Sequence, residues 1–417
     1  MKAYQFGLIV ALMSVGHACQ SQERIRGWES DLDYFTSQVK QQHYVYKSRP
    51  LPETFVAKSE ALRKNMAQLS DQQILVEFEG LAATLGDGHT YVLPWGADKV
   101  ESKGLPFRFY LFSDGLFIIH APESLKHLIG NRVVKFGDVA VEDAMKRIAP
   151  YISRDNEMGV DWIGPLFLSF QGALEAVGVK IKRDGIPITL ADNRGEIFSM
   201  RLTATSIAPL KGVPKLIPSK ISGNPVPLYL QNVKQTYWIK SLRHEGVNHL
   251  YVQFNQVIDD PAESLRDFSS RLSDSLKMIK PKKLIIDVRH NNGGNAELLP
   301  PLLNSLSAFQ QENPKSTIVI MTGRNTFSAA QIFISKADNL LHPVFAGEPS
   351  SSKPNFVGEE NGVMFPYSGA ICSISNRYHE SIPGDDRTWI EPTIKLELTS
   401  RDYFDNKDPL LEKILDY

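Results

Sequence analysis

The chain has 417 residues, 42% of them hydrophobic and 22% charged, with 46 Lys+Arg against 47 Asp+Glu and a net charge of −1. That length gives room for two or three domains and a large buried core, and the balanced charge without a long basic block excludes the electrostatic footprint of a nucleic-acid binder. The two cysteines, Cys19 and Cys372, are too few for a disulfide scaffold or a cysteine metal site.

At the N-terminus, "MKAYQFGLIVALMSVGHACQSQE" places Lys2 before an apolar run to Val15, followed by small residues up to Cys19. The run is too short to span a bilayer and reads as the apolar region of an export signal over residues 1–18. Cys19 sits where a bacterial lipoprotein carries its lipidated cysteine, and cleavage after Ala18 is the rival reading. The mature chain is therefore expected in the periplasm, tethered to the outer membrane by a lipid at Cys19, or secreted.

Residues 19–100 read as an N-terminal helical region. In "DQQILVEFEGLAATLGDGHT", Ile74, Leu75, Phe78, Leu81, Ala82 and Leu85 fall at helical spacing. Gly86 is a natural left-handed stop, and a tight turn carrying His89 follows. Residues 101–208 read as a small β-rich module, with turns at Asp114-Gly115, Asp184-Gly185 and Asn193-Arg194-Gly195. Prolines 209, 214, 218, 225 and 227 mark 209–235 as an irregular connection. From 236 to 417 strands and helices alternate, which predicts an α/β domain with a mostly parallel sheet and flanking helices. "LIID" and "TIVIM" are continuous apolar runs, as expected of strands buried on both faces.

Ligands of open α/β sheets bind beyond the carboxyl ends of the strands. Three marked segments lie there: "DVRHNNGGN" after "KKLII", "GRNTFSAAQ" after "TIVIM" and "GEPSSSKPN" after "HPVFA". Ser328, at a strand-to-helix turn, is either a helix N-cap or a nucleophile favoured by the helix N-terminus. The Asn291–Gly294 turn is either a tight loop or a set of backbone N–H groups facing an oxyanion. Lys353 is a solvated loop lysine or a desolvated base. His89 is a structural histidine or an imidazole base in a Gly-flanked turn.

In that order "LIIDVRHNNGG", "TFSAAQ" and "GEPSSSKPN" resemble the tail-specific protease family, which includes the carboxyl-terminal processing peptidases and the tricorn core protease. "LGDGHT" resembles the turn that bears the catalytic histidine in its tricorn-like branch, and residues 101–208 are similar to the PDZ-like module that often precedes the core. The resemblance implies a crotonase-like, ClpP-like α/β protease core and a serine peptidase acting on peptides or unfolded proteins, without metal or organic cofactor. It places the nucleophile at Ser328, the oxyanion donors at Ala329 and at Gly293 or Gly294, and the base at His89, with Lys353 as the alternative base of a serine–lysine dyad. Asp386 is the favoured orienting acid before Pro392, ahead of Asp385 and Glu391. Gln331 stands where the family often has glutamate, and Val357 where the lysine branch usually has glutamine.

A histidine base starts near pKa 6.5, whereas a lysine must be lowered by roughly three units. The polar run Ser350–Ser352 favours a charged lysine, so His89 is the expected base, with an activity profile rising at a pKa between about 6 and 7.5. Other readings remain open: a peptide-binding homologue without turnover, and a small-substrate esterase or amidase using the same serine.

Overall fold

A computed structural model gives the fold; it describes residues 2–93, 95, 97–206, 216–219 and 222–417, with side chains from residue 21 onward. Residues 2–19, which hold the expected leader and the lipid site at Cys19, are described only as backbone of helix Lys2–Gln42, and much of the proline-rich connection (207–215, 220 and 221) lies outside the described residues. Among the described residues no helix is long and apolar enough to cross a membrane.

The C-terminal part is built on a six-stranded sheet in the order Tyr237–His244, Val247–Phe254, Lys283–Asp287, Thr317–Thr322, Val344–Gly347, Ile394–Lys395. The first pair is an antiparallel hairpin and every later pair is parallel. Helices Leu265–Ile279, Pro300–Glu312 and Ala329–Leu341 make the successive crossovers. Each step moves the same way across the sheet, so right-handed crossovers stack all three helices on one face. Side chains alternate to match: Leu284, Ile286, Ile318 and Ile320 pack with those helices, while Ile285, Val319 and Met321 face Leu410, Leu411 and Ile414 of the C-terminal helix Pro409–Asp416. Both faces are covered, which is why these strands read as unbroken apolar runs.

The β-rich module holds the antiparallel strands Arg108–Phe112, Gly115–His120, Arg132–Phe136, Ile186–Ala191 and Ile197–Leu202. It also contains helices Val141–Ile148, Met158–Phe167 and Gln171–Ala176; the latter two break the expectation of a mostly β segment. A long hairpin, Phe356–Met364 with Ile371–His379, pairs with Tyr91–Val92 just after the His89 turn. Its inner face shares one apolar core with the N-terminal helices, where Trp28, Phe35 and Phe78 meet Phe365 and Ile374. That packing fixes the histidine turn to the α/β core.

Helix Asp71–Ala82 starts with a full capping box between Ser70 and Gln73. It continues through the short turn Ala83–Leu85 and stops at Gly86, whose left-handed φ of 79° leads into the turn. Cys372 is buried and free.

Candidate active site

Strand Thr317–Thr322 delivers its carboxyl end to the turn 323–328, and helix Ala329–Leu341 leaves it. Ser328 occupies the helix N-cap position, but its side chain makes no capping hydrogen bond. Its backbone stands at φ 56°, ψ −124°, a region that costs a non-glycine residue of order 1–3 kcal/mol and persists only where neighbours over-determine it. They do so here. The Thr326 hydroxyl donates to Val288 O at 2.9 Å, and Phe327 N–H donates to Asn291 O at 3.1 Å. Ser351 N–H donates to Thr326 O at 3.2 Å, and Ser328 N–H donates to the Ser352 hydroxyl at 3.3 Å. The result is a half-buried serine hydroxyl beside a helix N-terminus, where the first-turn N–H groups have no intrahelical acceptors.

The glycine pair packs directly against this turn. A Cβ on Gly293 would lie 2.7 Å from the Ser328 Cβ and 3.0 Å from the Ala329 nitrogen, and Gly293 has φ 112°. Gly294, at φ 135°, leaves no room either: a Cβ there would meet Val257 O at 2.2 Å. The two differ in their N–H groups. Gly293 N–H already donates to Asn291 Oδ1 at 3.0 Å, while Gly294 lines the cavity that Ser328 and Ala329 also line.

His89 reaches the same cavity from the N-terminal region. The residue is 1% exposed, and its ring stacks on Phe327 (centroids 4.3 Å apart) and on Phe356 (5.2 Å). Gly88 permits the approach, since a Cβ there would touch the Phe327 ring at 3.0 Å. Neither ring nitrogen has a hydrogen-bond partner among the described residues. Burial pushes the imidazole down to about 4, against the pull of the Asp87 charge and helped by His379. The ring is therefore neutral near pH 7, free to take a proton.

The cavity measures about 680 Å³. Helix Met158–Phe167 lines one wall with Trp162, Ile163, Leu166 and Phe167, and the hairpin lines another with Glu359, Glu360 and His379. Glu79 also borders it, and burial pushes that carboxyl up to about 7 despite hydrogen bonds from the Val92 and Ser153 N–H groups.

Ser328, Ala329, Gly294 and His89 are thus brought together, with Gly293 directly beneath Ser328. Lys353 is half-buried and does not line the cavity; its charge bears on Asp155. Asp386 is exposed. Asp385 is held by Arg387 at 2.6 Å, and Glu391 by Trp389 and Lys395; none of these acids lines the cavity. Gln331 is buried, donating to Ser335 Oγ at 3.0 Å and accepting from the Ser350 hydroxyl, so it ties the 350–352 loop to the helix. Sequence reading missed His43, Asp87, Asp155, His379 and the apolar wall. Of these only Asp87, two positions before His89 in "GDGHT", carried a local signal.

No protein-family model matches the sequence, and no curated protein matches it. Among solved structures, mature CPAF in complex with lactacystin aligns at a TM-score of 0.64 and 13% identity, over 94% of this chain and 98% of its own. Mature CPAF alone aligns at 0.64 and 14% identity, over 94% and 97%. The tricorn protease aligns at 0.41 and 13% identity over 94% of this chain and 36% of its own, too loosely to carry an argument. Identity this low speaks to fold alone, and the fold it speaks to spans nearly the whole chain. CPAF is a tail-specific protease, and this chain has the α/β fold of that family.

Proposed function

We propose that the chain is a serine endopeptidase acting on peptides and unfolded proteins, with Ser328 as nucleophile and His89 as general base. The observation that carries this reading is the Ser328 turn. A strained backbone, an N-cap side chain that does not cap, and a Ser328 Cβ only 2.7 Å from where a Gly293 Cβ would lie are not what stability alone would select. All three suit a hydroxyl held out toward a reacting carbonyl.

In this reading Ser328 Oγ attacks the peptide carbonyl carbon as its proton passes to a ring nitrogen of His89. The carbonyl oxygen, now carrying the charge, is received by the Ala329 and Gly294 N–H groups. Gly294 is preferred over Gly293 because the Gly293 N–H is already spent on Asn291. Collapse of the tetrahedral intermediate breaks the C–N bond, and the leaving amine takes the proton from His89. Water then hydrolyses the acyl-serine with His89 as base again. The hydrogen bond between serine and base tightens in the Michaelis complex, so its absence from the free enzyme is no objection. A serine–lysine dyad is disfavoured because Lys353 does not line the cavity.

Under this reading residues 236–417 form the catalytic domain, 101–208 a PDZ-like module, and 19–100 the helical region that delivers His89. Action outside the cytoplasm rests on the apolar run before Cys19, with either a lipid anchor or free release. The test is digestion of an unfolded protein beside a small p-nitrophenyl ester. Fragmentation of the protein by wild type and none by Ser328→Ala supports the endopeptidase; ester turnover alone makes it a small-substrate hydrolase.

A further inference from the structure

The backbone of the His89 turn is tied down almost entirely by buried carboxylates. Asp155 Oδ1 accepts from Gly88 N–H at 2.9 Å. Asp87 Oδ1 accepts from His89 N–H at 2.9 Å, from Thr90 N–H at 2.6 Å and from the Ser375 hydroxyl at 2.6 Å. Glu79 accepts from Val92 N–H. Among these, Asp87 alone is bound to the His89 residue itself.

The second oxygen of Asp87 faces His43 Nε2 at 2.9 Å, with both side chains almost wholly buried. The tautomer of His43 follows from its other nitrogen. Val45 and Tyr46 N–H groups point at Nδ1 at 3.1 and 3.4 Å, so Nδ1 accepts and the proton sits on Nε2. His43 therefore donates to Asp87 Oδ2, and every donor around Asp87 favours its ionised form.

Proton transfer from Ser328 creates a positive charge on His89, inside a stack of aromatic rings. The acids expected before Pro392 do not line that cavity. We propose, resting on the serine-peptidase reading, that Asp87 fills the vacant role as a positioning residue. It fixes the His89 main chain through Oδ1 and supplies the anion that stabilises the forming imidazolium, while His43 and Ser375 keep it ionised. This differs from a triad in which the acid hydrogen-bonds the ring, because Asp87 acts through the backbone and through space. Burial raises the Asp87 carboxyl, but the hydrogen bonds from His43 and the Ser375 hydroxyl, with the nearby His89, hold it below the usual carboxylate range. The other titratable groups facing it are Asp155, Tyr46 and Cys372.

Removing a donor should raise the Asp87 pKa, so that activity fails as pH falls through the new value. The experiment measures kcat/KM for a fluorogenic peptide from pH 3.5 to 8 with the full chain, Ser328→Ala serving as blank. In His43→Leu the acid limb should move up by at least about one pH unit, with kcat falling at least about fivefold at pH 4 and KM holding within about threefold. Ser375→Ala, which keeps His43, should move the limb the same way by less. His43→Gln, whose amide can donate to Oδ2, should bring the limb back toward wild type. A limb unmoved in His43→Leu overturns the proposal. If that variant does not fold by circular dichroism, an unmoved limb in Ser375→Ala overturns it instead. Wild-type hydrolysis no greater than the Ser328→Ala blank sinks the peptidase reading and this proposal with it.

Discussion

Substituting alanine for Gly293 adds one methyl group at the closest backbone approach in the site. The new Cβ would stand 2.7 Å from the Ser328 Cβ and 3.0 Å from the Ala329 nitrogen. Ordinary carbon contacts lie near 3.5–4.0 Å, so the two turns must part by about 1 Å. Backbone strain adds to this, since Gly293 sits at φ 112°, where alanine costs of order 1–3 kcal/mol. A displacement of about 1 Å between nucleophile and oxyanion donors costs on the order of a hundredfold in rate. Gly293→Ala is therefore expected to lower kcat/KM for a fluorogenic peptide by about a hundredfold, and to lower stability in urea by about 1–3 kcal/mol. A folded Gly293→Ala enzyme within about threefold of wild type would refute the claim that the glycine exists to let Ser328 and the oxyanion donors close up.

His89→Ala should lower kcat/KM by at least about a hundredfold and Lys353→Ala by no more than about threefold; the reverse pattern in the same peptide assay would install the serine–lysine dyad. With His89 held down to about 4, kcat/KM should rise through about pH 4 and be flat from about 5 to 8. That corrects the rise between about 6 and 7.5 that an unperturbed imidazole suggests, and a measured midpoint above about 6 would contradict the burial described for its ring. Glu79 is raised from 4.5 to about 7, so its contribution to stability is full at low pH and is lost as pH rises through about 7. Glu79→Gln should therefore flatten the loss of stability between about pH 4.5 and 7, whatever the offset from losing one of its two acceptor oxygens. Thermal melts showing the same pH dependence in both proteins would count against an ionisable Glu79 as the source.

The parallel core is legible in the sequence because its strands are buried on both faces, so "LIID" and "TIVIM" carry no polar interruption. The hairpin Phe356–Met364 with Ile371–His379 is not, because exposed residues such as Glu359 and Glu360 break its alternation; its pairing with Tyr91–Val92 spans some 280 positions. Helix Met158–Phe167 carries Pro165 and two glycines, so local propensity speaks against it and tertiary packing overrides it. In the site, Ser328 and the glycine pair can be found as strand-to-helix punctuation. Which glycine faces the cavity depends on the Asn291 side chain taking one N–H, something no spacing encodes. His43 lies 44 positions from Asp87 with no motif around it, and only the packing of the first helix against the hairpin brings the two together.

In the proposed mechanism Ser328 is a nucleophile activated by His89. A fluorophosphonate probe, followed by tryptic mass spectrometry of the full chain near pH 7, tests it most directly. One adduct is expected, on Ser328, absent from Ser328→Ala and strongly slowed in His89→Ala. A folded wild-type chain that takes no label, or takes it on another serine at the same rate in both variants, would contradict it.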